Sequence, residues 1–271
     1  MRRWHRCLCI AILLGGCLLA ACSTVPITGR SQLNIVPADS MLSMSLKQYD
    51  QFLEQHQLSE DPQKVRMVKR VGRRIQEAVE TYFARRGQSG RLANYDWEFN
   101  LIESDEVNAW AMPGGKVVVY TGILPVAQNE AGLAVIMGHE IAHVVARHGN
   151  ERMSQALLAQ FGSIALSQAM RDQPGQTQQL WMMAYGLGAQ VGLILPYSRL
   201  HEKEADRLGL IFMAMAGYDP REAAAFWQRM AEKKGDGASP PEFLSTHPAD
   251  QKRIAAIRSL MPEAMRYYRE N

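Results

Sequence analysis

His139 and His143 stand four residues apart within the apolar run 131–146, and Glu140 directly follows the first of them. In a helix this spacing places both imidazoles on one face, one turn apart. Zinc readily accepts imidazole nitrogens, and Glu140 would then reach a water in the site as a general base. A chance arrangement on a buried helix, the alternative, would leave three polar side chains unsatisfied. The pattern therefore predicts one Zn²⁺ held by His139 and His143, with Glu140 as the catalytic residue.

Glu202 is the predicted third metal ligand. It shares a helical face with Asp206 and Gly209, where the glycine would let a neighbouring helix approach closely. A carboxylate facing the core is costly unless it binds a charge. His201 lies about 100° away around the helix and should miss this face, Glu204 should face solvent, and Asp206 would accept a hydrogen bond from a ligating histidine. Two histidines and one carboxylate leave the fourth position to water, as in catalytic zinc sites.

Helices and one small sheet must position these residues. The metal helix is predicted to run from an N-cap at Asn129 to a left-handed C-cap at Gly149, with His148 at the surface. Strands are predicted at 97–102 and 116–121, just before this helix. We therefore expect an α+β fold that is mainly α, with a small β-sheet over the metal helix.

A candidate substrate edge lies between the two predicted strands, at Asn108, Ala109, Trp110 and Ala111, before a glycine-rich turn. An extended peptide can add a strand to a free sheet edge, and these four residues are positioned to offer one. A plain hairpin that closes a small sheet is the alternative, and periodicity alone does not separate the two.

Residues 157–170 and 180–195 are strongly apolar, but each is short for a transmembrane helix and glutamines interrupt both. Ala184, Gly188 and Gly192 recur every four residues, which would let another helix approach closely. We expect the buried or partly exposed helices of a hairpin. Contact with a membrane, oligomerisation, and a membrane-integral protein in which both segments span are the alternatives.

The first 21 residues read as an export signal, with three arginines before the apolar stretch 9–21. Leu19-Ala20-Ala21-Cys22 resembles the lipobox of bacterial lipoproteins, in which cleavage before the cysteine leaves it to carry lipid. An ordinary cleaved signal and an uncleaved anchor are the alternatives. Ser23 after the cysteine favours, by resemblance, sorting to the outer membrane, facing the periplasm. Residues 22–38 would be the lipidated cysteine and a tether.

The charge balance gives no indication of nucleic-acid binding. The chain has 30 Lys+Arg against 27 Asp+Glu, and the three excess arginines belong to the predicted signal. All four cysteines lie within the first 22 residues, so the rest of the chain forms no internal disulfide.

Four motifs together resemble a known family: Asn-Ala-x-Ala-x-Pro-Gly-Gly, Val-Val-Val-Tyr-Thr-Gly, His139-Glu140-x-x-His143 and Glu202-x-x-x-Asp206. They look like the gluzincin metallopeptidases of the CAAX prenyl protease and HtpX, peptidase family forty-eight. The lipobox and the leader at 25–30 are similar to its bacterial periplasmic lipoprotein branch, the LoiP and BepA type. The likeness covers essentially the whole mature chain and implies a helical zincin-type fold with a single gluzincin domain at 39–271. Tetratricopeptide repeats follow the protease domain in the BepA type, and we expect none in this sequence.

The same resemblance marks two further residues. Ser245-Thr246-His247-Pro248 resembles the family's Ser/Thr-x-His-Pro segment, whose histidine approaches the zinc and gates the open position. His247 is thus a candidate zinc gate or transition-state contact, with Arg199 as another candidate donor to the oxyanion. A solvent-facing His247 before a helix start is the alternative.

The expected function is that of a zinc-dependent endopeptidase of the bacterial cell envelope. Its substrates would be misfolded or unassembled envelope and outer-membrane proteins, and its partners the membrane, through a lipid anchor at Cys22, and the outer-membrane assembly machinery. The competing class is a lipoprotein chaperone or assembly factor for outer-membrane proteins with a latent or regulatory zinc site. Glu140 argues against it, because a structural site needs no base beside its ligands.

Overall fold

The computed structural model describes residues 22–26, 28–233 and 241–268, without the side chains of Cys22 and Leu193. The predicted signal at 1–21 lies outside the described residues, as does the cysteine side chain predicted to carry lipid. The chain forms two compact units. The smaller unit comprises Met1–Met41 with Arg147–Leu200, and the larger unit comprises Leu42–Ala146 with His201–Asn271. The predicted single domain at 39–271 stays a prediction.

The described residues are mostly helical with two small sheets, which confirms the predicted α+β, mainly α class. The strands are β1 (Cys22–Thr24), β2 (Ser31–Leu33), β3 (Glu98–Ile102), β4 (Ala109–Met112) and β5 (Lys116–Tyr120). The longer helices are α1 (Ala38–Gln55), α2 (Pro62–Ala84), α3 (Glu130–Val145), α4 (His148–Ala169), α5 (Gly175–Ala189), α6 (Leu195–Met215), α7 (Glu222–Lys233) and α8 (Gln251–Ala264). Short helical turns lie at Ser89–Leu92, Thr121–Ile123, Leu124–Ala127 and Glu242–Thr246.

The three-stranded sheet of the larger unit has the order β3-β5-β4. The central strand β5 is buried along its whole length, runs parallel to β3 and pairs antiparallel with β4. Gly114 (φ 93°) and Gly115 (φ 84°) form the turn between β4 and β5, in a backbone conformation that side chains with a Cβ disfavour. Both predicted strands are confirmed to within one residue, and β4 lies at a sheet edge.

Helix α3 packs against β4 and α2, so the predicted sheet over the metal helix is confirmed. Its N-cap is Asn129, whose side chain accepts a hydrogen bond from the backbone of Gly132, as predicted. Its predicted end at Gly149 is wrong. Arg147 itself takes the left-handed conformation (φ 59°) and breaks the helix two residues earlier. His148 then begins α4 and is fully buried, not exposed as predicted.

Helix α6 begins at Leu195, seven residues before Glu202. A π-helical segment, Gln190–Ile194, joins α5 to α6, and Pro196 becomes the second residue of α6. The wider turn of a π-helix changes the hydrogen-bond ladder locally, so a proline, which lacks an N–H, is tolerated there. Gly217 (φ 78°) follows the end of α6.

In the smaller unit, the β1–β2 hairpin packs on the first turns of α4. Arg30 makes two hydrogen bonds of 2.8 and 2.7 Å to the buried Glu151 carboxylate. The backbone N–H of Ile35 donates to Ser154, 2.9 Å away. Farther along, the Tyr185 hydroxyl on α5 donates to the Ala159 carbonyl on α4, and the two helices form the expected hairpin. No helix among the described residues is long and apolar enough to cross a membrane.

Candidate metal centre

Four side chains of the larger unit converge on one point. His139 and His143 project from α3, Glu202 from α6, and His247 from the turn before α8, and one donor atom from each lies within 4.8 Å of all the others. The two Nε2 atoms of His139 and His143 are 3.1 Å apart. The Glu202 oxygens lie 3.4 Å from Nε2 of His139 and 3.3 Å from Nε2 of His143. His247 places Nδ1 2.9 Å from Glu202 and 3.1 Å from Nε2 of His139.

These separations fit a tetrahedral ion. Ligand atoms about 2.1 Å from zinc lie about 3.4 Å from one another at the corners of a tetrahedron. Five of the six residue pairs place donor atoms 2.9 to 3.4 Å apart, and all four donor atoms lie within 4.8 Å of one another. Nitrogen and carboxylate oxygen are also the donors that zinc takes in catalytic sites. The residues present therefore fit the zinc that the sequence predicted, with His247 at the corner that the prediction had left to water.

Asp206 and Arg253 form a layer behind these donors. Asp206 Oδ1 lies 3.1 Å from Nδ1 of His139, as expected of a group that orients a ligating imidazole. Arg253 on α8 donates to both Asp206 oxygens at 2.7 and 3.0 Å, and its Nη1 lies 3.1 Å from Glu202. Its guanidinium also stacks 3.5 Å over the Trp227 ring. One arginine therefore holds two carboxylates of different turns of α6 in place.

Glu140 points into the same space but is not part of this layer. Its side chain is buried, and among the described residues its Oε1 atom makes no hydrogen bond. Nε2 of His247 is 3.3 Å away from that oxygen, close enough for electrostatic attraction. A carboxylate oxygen that makes no hydrogen bond and lies beside a metal site is suited to accept a proton from a water molecule.

The charges of the site are balanced only when a divalent cation is added. Glu140, Glu202 and Asp206 supply three negative charges, and Arg253 supplies one positive charge. Burial would raise the pKa of Glu202, but hydrogen bonds from His139, His143 and His247 hold it well below the usual range. Burial lowers the pKa of His139, whereas hydrogen bonds to Asp206 and then Glu202 raise it, with a net value of about 9. Without a metal, a proton on His139 thus offsets part of the negative charge.

Two glycines set the distance between the helices that carry the ligands. Gly209 on α6 faces Gly138 on α3, and a Cβ at Gly209 would lie 2.9 Å from the backbone nitrogen of His139. Backbones approach this closely only where side chains are absent. Because Gly209 shares its helical face with Glu202 and Asp206, the contact brings both carboxylates to the histidine side of α3.

The other predicted residues fall in different places. Ala109, Trp110 and Ala111 belong to the edge strand β4, and the Asn108 carbonyl accepts a hydrogen bond from Tyr120. Arg199 belongs to the smaller unit.

Two expectations for α6 are wrong. Glu204, expected to face solvent, is 4% exposed, and His201, expected to miss the apolar side, is 1% exposed. From His201 to Met215 eleven of the fifteen residues are buried, and only Lys203 is exposed.

A comparison with family models agrees with this geometry. The family described as peptidase family M48 matches residues 69–261, which include all four donors together with Glu140, Asp206 and Arg253. The chain belongs to peptidase family M48. The predicted recognition is thereby confirmed at the level of the family, and the predicted enzyme class agrees with it.

The relatives of the chain carry peptidase names. Mitochondrial metalloendopeptidase OMA1 of Schizosaccharomyces pombe is 35% identical over 89% of this chain and 66% of its own length. Metalloendopeptidase OMA1, mitochondrial, of Homo sapiens is 30% identical over 89% of this chain and 46% of its own. The Beta-barrel assembly-enhancing protease of Escherichia coli is 34% identical over 60% of this chain and 34% of its own. The chain thus spans between 34% and 66% of these relatives. They do not single out the expected bacterial branch, since the mitochondrial proteins match more of the chain.

Sequence reasoning missed Arg253 and Trp227. Arg253 is 8% exposed and shares a helical face with the buried Ile257, four residues later. A charged residue at a position on the apolar face of a helix indicates a buried partner, and the sequence alone shows this feature. The sequence does not show which residue the partner is, because Asp206 lies 47 residues away in the chain.

Proposed function

We propose that this protein is a zinc-dependent endopeptidase that hydrolyses misfolded or unassembled proteins of the bacterial cell envelope. The observation that carries the chemistry is the buried Glu140 oxygen, which makes no hydrogen bond, beside four converging zinc-type donors. A structural zinc site needs no base at that position, whereas hydrolysis needs one.

In this proposal His139, His143 and Glu202 hold the ion, and Asp206 keeps the His139 imidazole in its ligating orientation. Zinc, when bound, would polarise the scissile carbonyl and make a water more acidic. Glu140 accepts the proton from the attacking water and passes it to the leaving amine. Arg253 fixes both Glu202 and Asp206, since its guanidinium bridges them, and its charge favours the ionised form of Asp206.

The substrate would bind as an added strand on β4. This strand is at the edge of the sheet and packs on α3, the helix that bears both histidines and Glu140. Main-chain pairing recognises extended polypeptide with little regard to sequence, which suits unfolded proteins as substrates. His247 occupies the fourth donor position, so we propose that it must leave that position before water and substrate enter.

The cell-envelope setting is supported by the lipobox-like Leu19-Ala20-Ala21-Cys22 and by the Beta-barrel assembly-enhancing protease among the relatives. We propose that Cys22 carries lipid and that the mature chain is an outer-membrane lipoprotein facing the periplasm. The mass of the N-terminal peptide, together with membrane fractionation, tests this setting separately from the chemistry.

The decisive experiment compares the wild-type protein with Glu140→Gln, measuring zinc content and cleavage of an unfolded protein in both. We expect equal zinc, cleavage by the wild type, and a rate lower by at least about 10²-fold in the variant. Equal cleavage by both proteins would overturn the assignment of Glu140. His247→Ala is the companion variant, and we expect it to keep zinc and to cleave at least as fast as the wild type. Zinc lost from that variant would instead make His247 a permanent ligand.

A further inference from the structure

The helical hairpin of the smaller unit has a surface that the proposed peptidase chemistry does not use. Residues 153–170 and 173–198 contain no Asp, Glu, Lys, Arg or His, and only Arg171 and Asp172 interrupt this stretch. We call residues 153–198, which cover most of α4, all of α5 and the beginning of α6, the apolar hairpin. Protein surfaces in water normally carry many charged side chains. An uncharged stretch of this length is therefore expected to contact another apolar surface.

Large apolar side chains of the apolar hairpin are exposed. Of the ten that are exposed in the described part of the chain, eight lie in this segment: Phe161, Ile164, Leu180, Trp181, Met183, Leu187, Val191 and Leu195. Helix α5 has no buried residue, yet it is apolar on several faces. A helix of that composition is normally found inside a core or in contact with lipid.

Part of this surface is a continuous stripe. Leu180, Met183, Leu187 and Val191 follow one another at intervals of three and four residues, which places them along one face of a helix. Each of the four is at least 63% exposed. Moving apolar side chains out of water is favourable, so the stripe favours an apolar contact.

The position of Cys22 indicates what makes that contact. Cys22 directly follows the undescribed residues 1–21 and begins β1 in the same compact unit as the apolar hairpin. Residues 9–21 are apolar, so a bilayer would lie next to Cys22 if the cysteine carries lipid, as proposed, or if the segment stays as an anchor.

The β1–β2 hairpin is in turn fixed to the apolar hairpin. The segment after β2 bonds to α4 through Ile35 and Ser154, and through Val36 and Asn150. Phe161 is seven residues beyond Ser154, about 10 Å along the helix. The membrane attachment point and the first exposed apolar side chains therefore belong to one short stretch of the same unit.

We propose that the exposed face of the apolar hairpin lies in the interfacial region of the bilayer to which Cys22 is attached. This inference rests on the proposed membrane attachment at Cys22. An interfacial position is favoured over a spanning one because glutamines interrupt both apolar segments of the hairpin. Trp181 suits the boundary between headgroups and acyl chains, where tryptophan is enriched. With only Arg171 and Asp172 charged, the contact is apolar and insensitive to salt.

The test uses the full chain in neutral phosphatidylcholine vesicles whose acyl chains carry bromine, which quenches tryptophan on contact. All proteins carry Trp4→Phe, so that the N-terminal segment adds no signal. We expect the Trp181 contribution, obtained by subtracting Trp181→Phe, to fall at least about twofold in brominated vesicles at both low and high salt. Trp97→Phe, in the larger unit, is the matched control and should leave the quenching unchanged.

A second pair of variants tests the stripe itself. Leu187→Glu places a charge on it and should remove most of the Trp181 quenching, while Met44→Glu, at an exposed apolar site of the larger unit, should not. Both positions are exposed, so the fold should persist, which circular dichroism checks. Unquenched Trp181 fluorescence in the vesicle-bound protein would overturn the proposal. It would also be overturned if light scattering showed a dimer that Leu187→Glu dissociates while the Trp181 quenching stays unchanged.

The N-terminal peptide mass separates this inference from the proposed anchor. Lipid on Cys22 with no quenching of Trp181 would refute the hairpin contact alone. Quenching in a chain without lipid would refute the lipid anchor and support the hairpin contact. Cleavage of an unfolded soluble protein, measured on the same samples, reports on the peptidase chemistry independently of both.

Discussion

Gly209→Ala is the substitution whose effect on the metal centre can be worked out most directly. The added Cβ would lie 2.9 Å from the His139 nitrogen and 3.0 Å from the Gly138 carbonyl carbon. Ordinary contacts begin at 3.4 Å, so α3 and α6 must separate by about 0.5 Å, and both atoms are backbone that cannot rotate away.

That separation exceeds what a zinc site tolerates. Metal–ligand distances are held within about 0.2 Å, and the predicted ligands are divided between α3, with His139 and His143, and α6, with Glu202. We expect zinc affinity to fall about 10- to 100-fold, the range seen when the support of a metal ligand is removed. Overpacking should also cost the protein about 1–3 kcal/mol of stability in the absence of metal.

The assay is competition with a zinc chelator, together with urea unfolding of the metal-free protein. Gly138→Ala provides a graded comparison, since its Cβ would meet the Gly209 carbonyl oxygen at 3.0 Å and needs a slightly smaller shift. Gly90→Ala is the control, because nothing lies within 4 Å of its Cβ. Zinc affinity of Gly209→Ala equal to that of Gly90→Ala would refute the argument that this contact sets the ligand distances.

Three further substitutions test other parts of the structure. Arg253→Gln should lower the free energy of unfolding, measured with urea, by about 3–5 kcal/mol because it leaves Asp206 buried without its cation. Arg253→Lys should not restore this stability, since an ammonium cannot bridge two carboxylates. A loss of stability near zero in Arg253→Gln would contradict this expectation. Burial raises the pKa of Tyr82 from 10.0 to about 12, so the folded state keeps a proton that the unfolded state releases, and stability should decline as the pH rises from 10 to 12. Tyr82→Phe should flatten that decline in unfolding curves, and an unchanged slope would count against it. Asp61→Ala removes the cap that accepts from the first turn of α2 and should lower the melting temperature by an amount equivalent to about 1 kcal/mol, while Glu60→Ala should not.

The parts of the site that sequence could predict are those within one helix. His139 and His143, like Glu202 and Asp206, owe their common direction to helical spacing alone. Gly209 was informative for the same reason, since it continues the face of the carboxylates. The edge position of β4 followed from the order of strands and turns nearby, because a glycine turn pairs it with β5.

The parts that sequence could not predict depend on distant segments. Arg253 reaches Asp206 across 47 positions of the chain, and no local pattern records that distance. The burial of His201 and Glu204 depends on what covers α6, which helical phase does not indicate. The end of α3 depends on the left-handed conformation of Arg147. Gly149, two residues later, is the residue type that usually takes this conformation, so the sequence favoured it as the end of the helix.

Charge balance explains why Arg253 supports the metal site and does not serve only to stabilise the fold. Glu202 and Asp206 are one helical turn apart and largely buried, so without a cation they would repel each other and favour their protonated forms. Arg253 offsets one of the two charges, while its stacking on Trp227 fixes the direction of the guanidinium. The remaining charge, with that of Glu140, is what a divalent ion would neutralise. Metal binding should therefore stabilise the protein against unfolding, and Arg253→Gln should make that stabilisation smaller because Glu202 would be less well fixed.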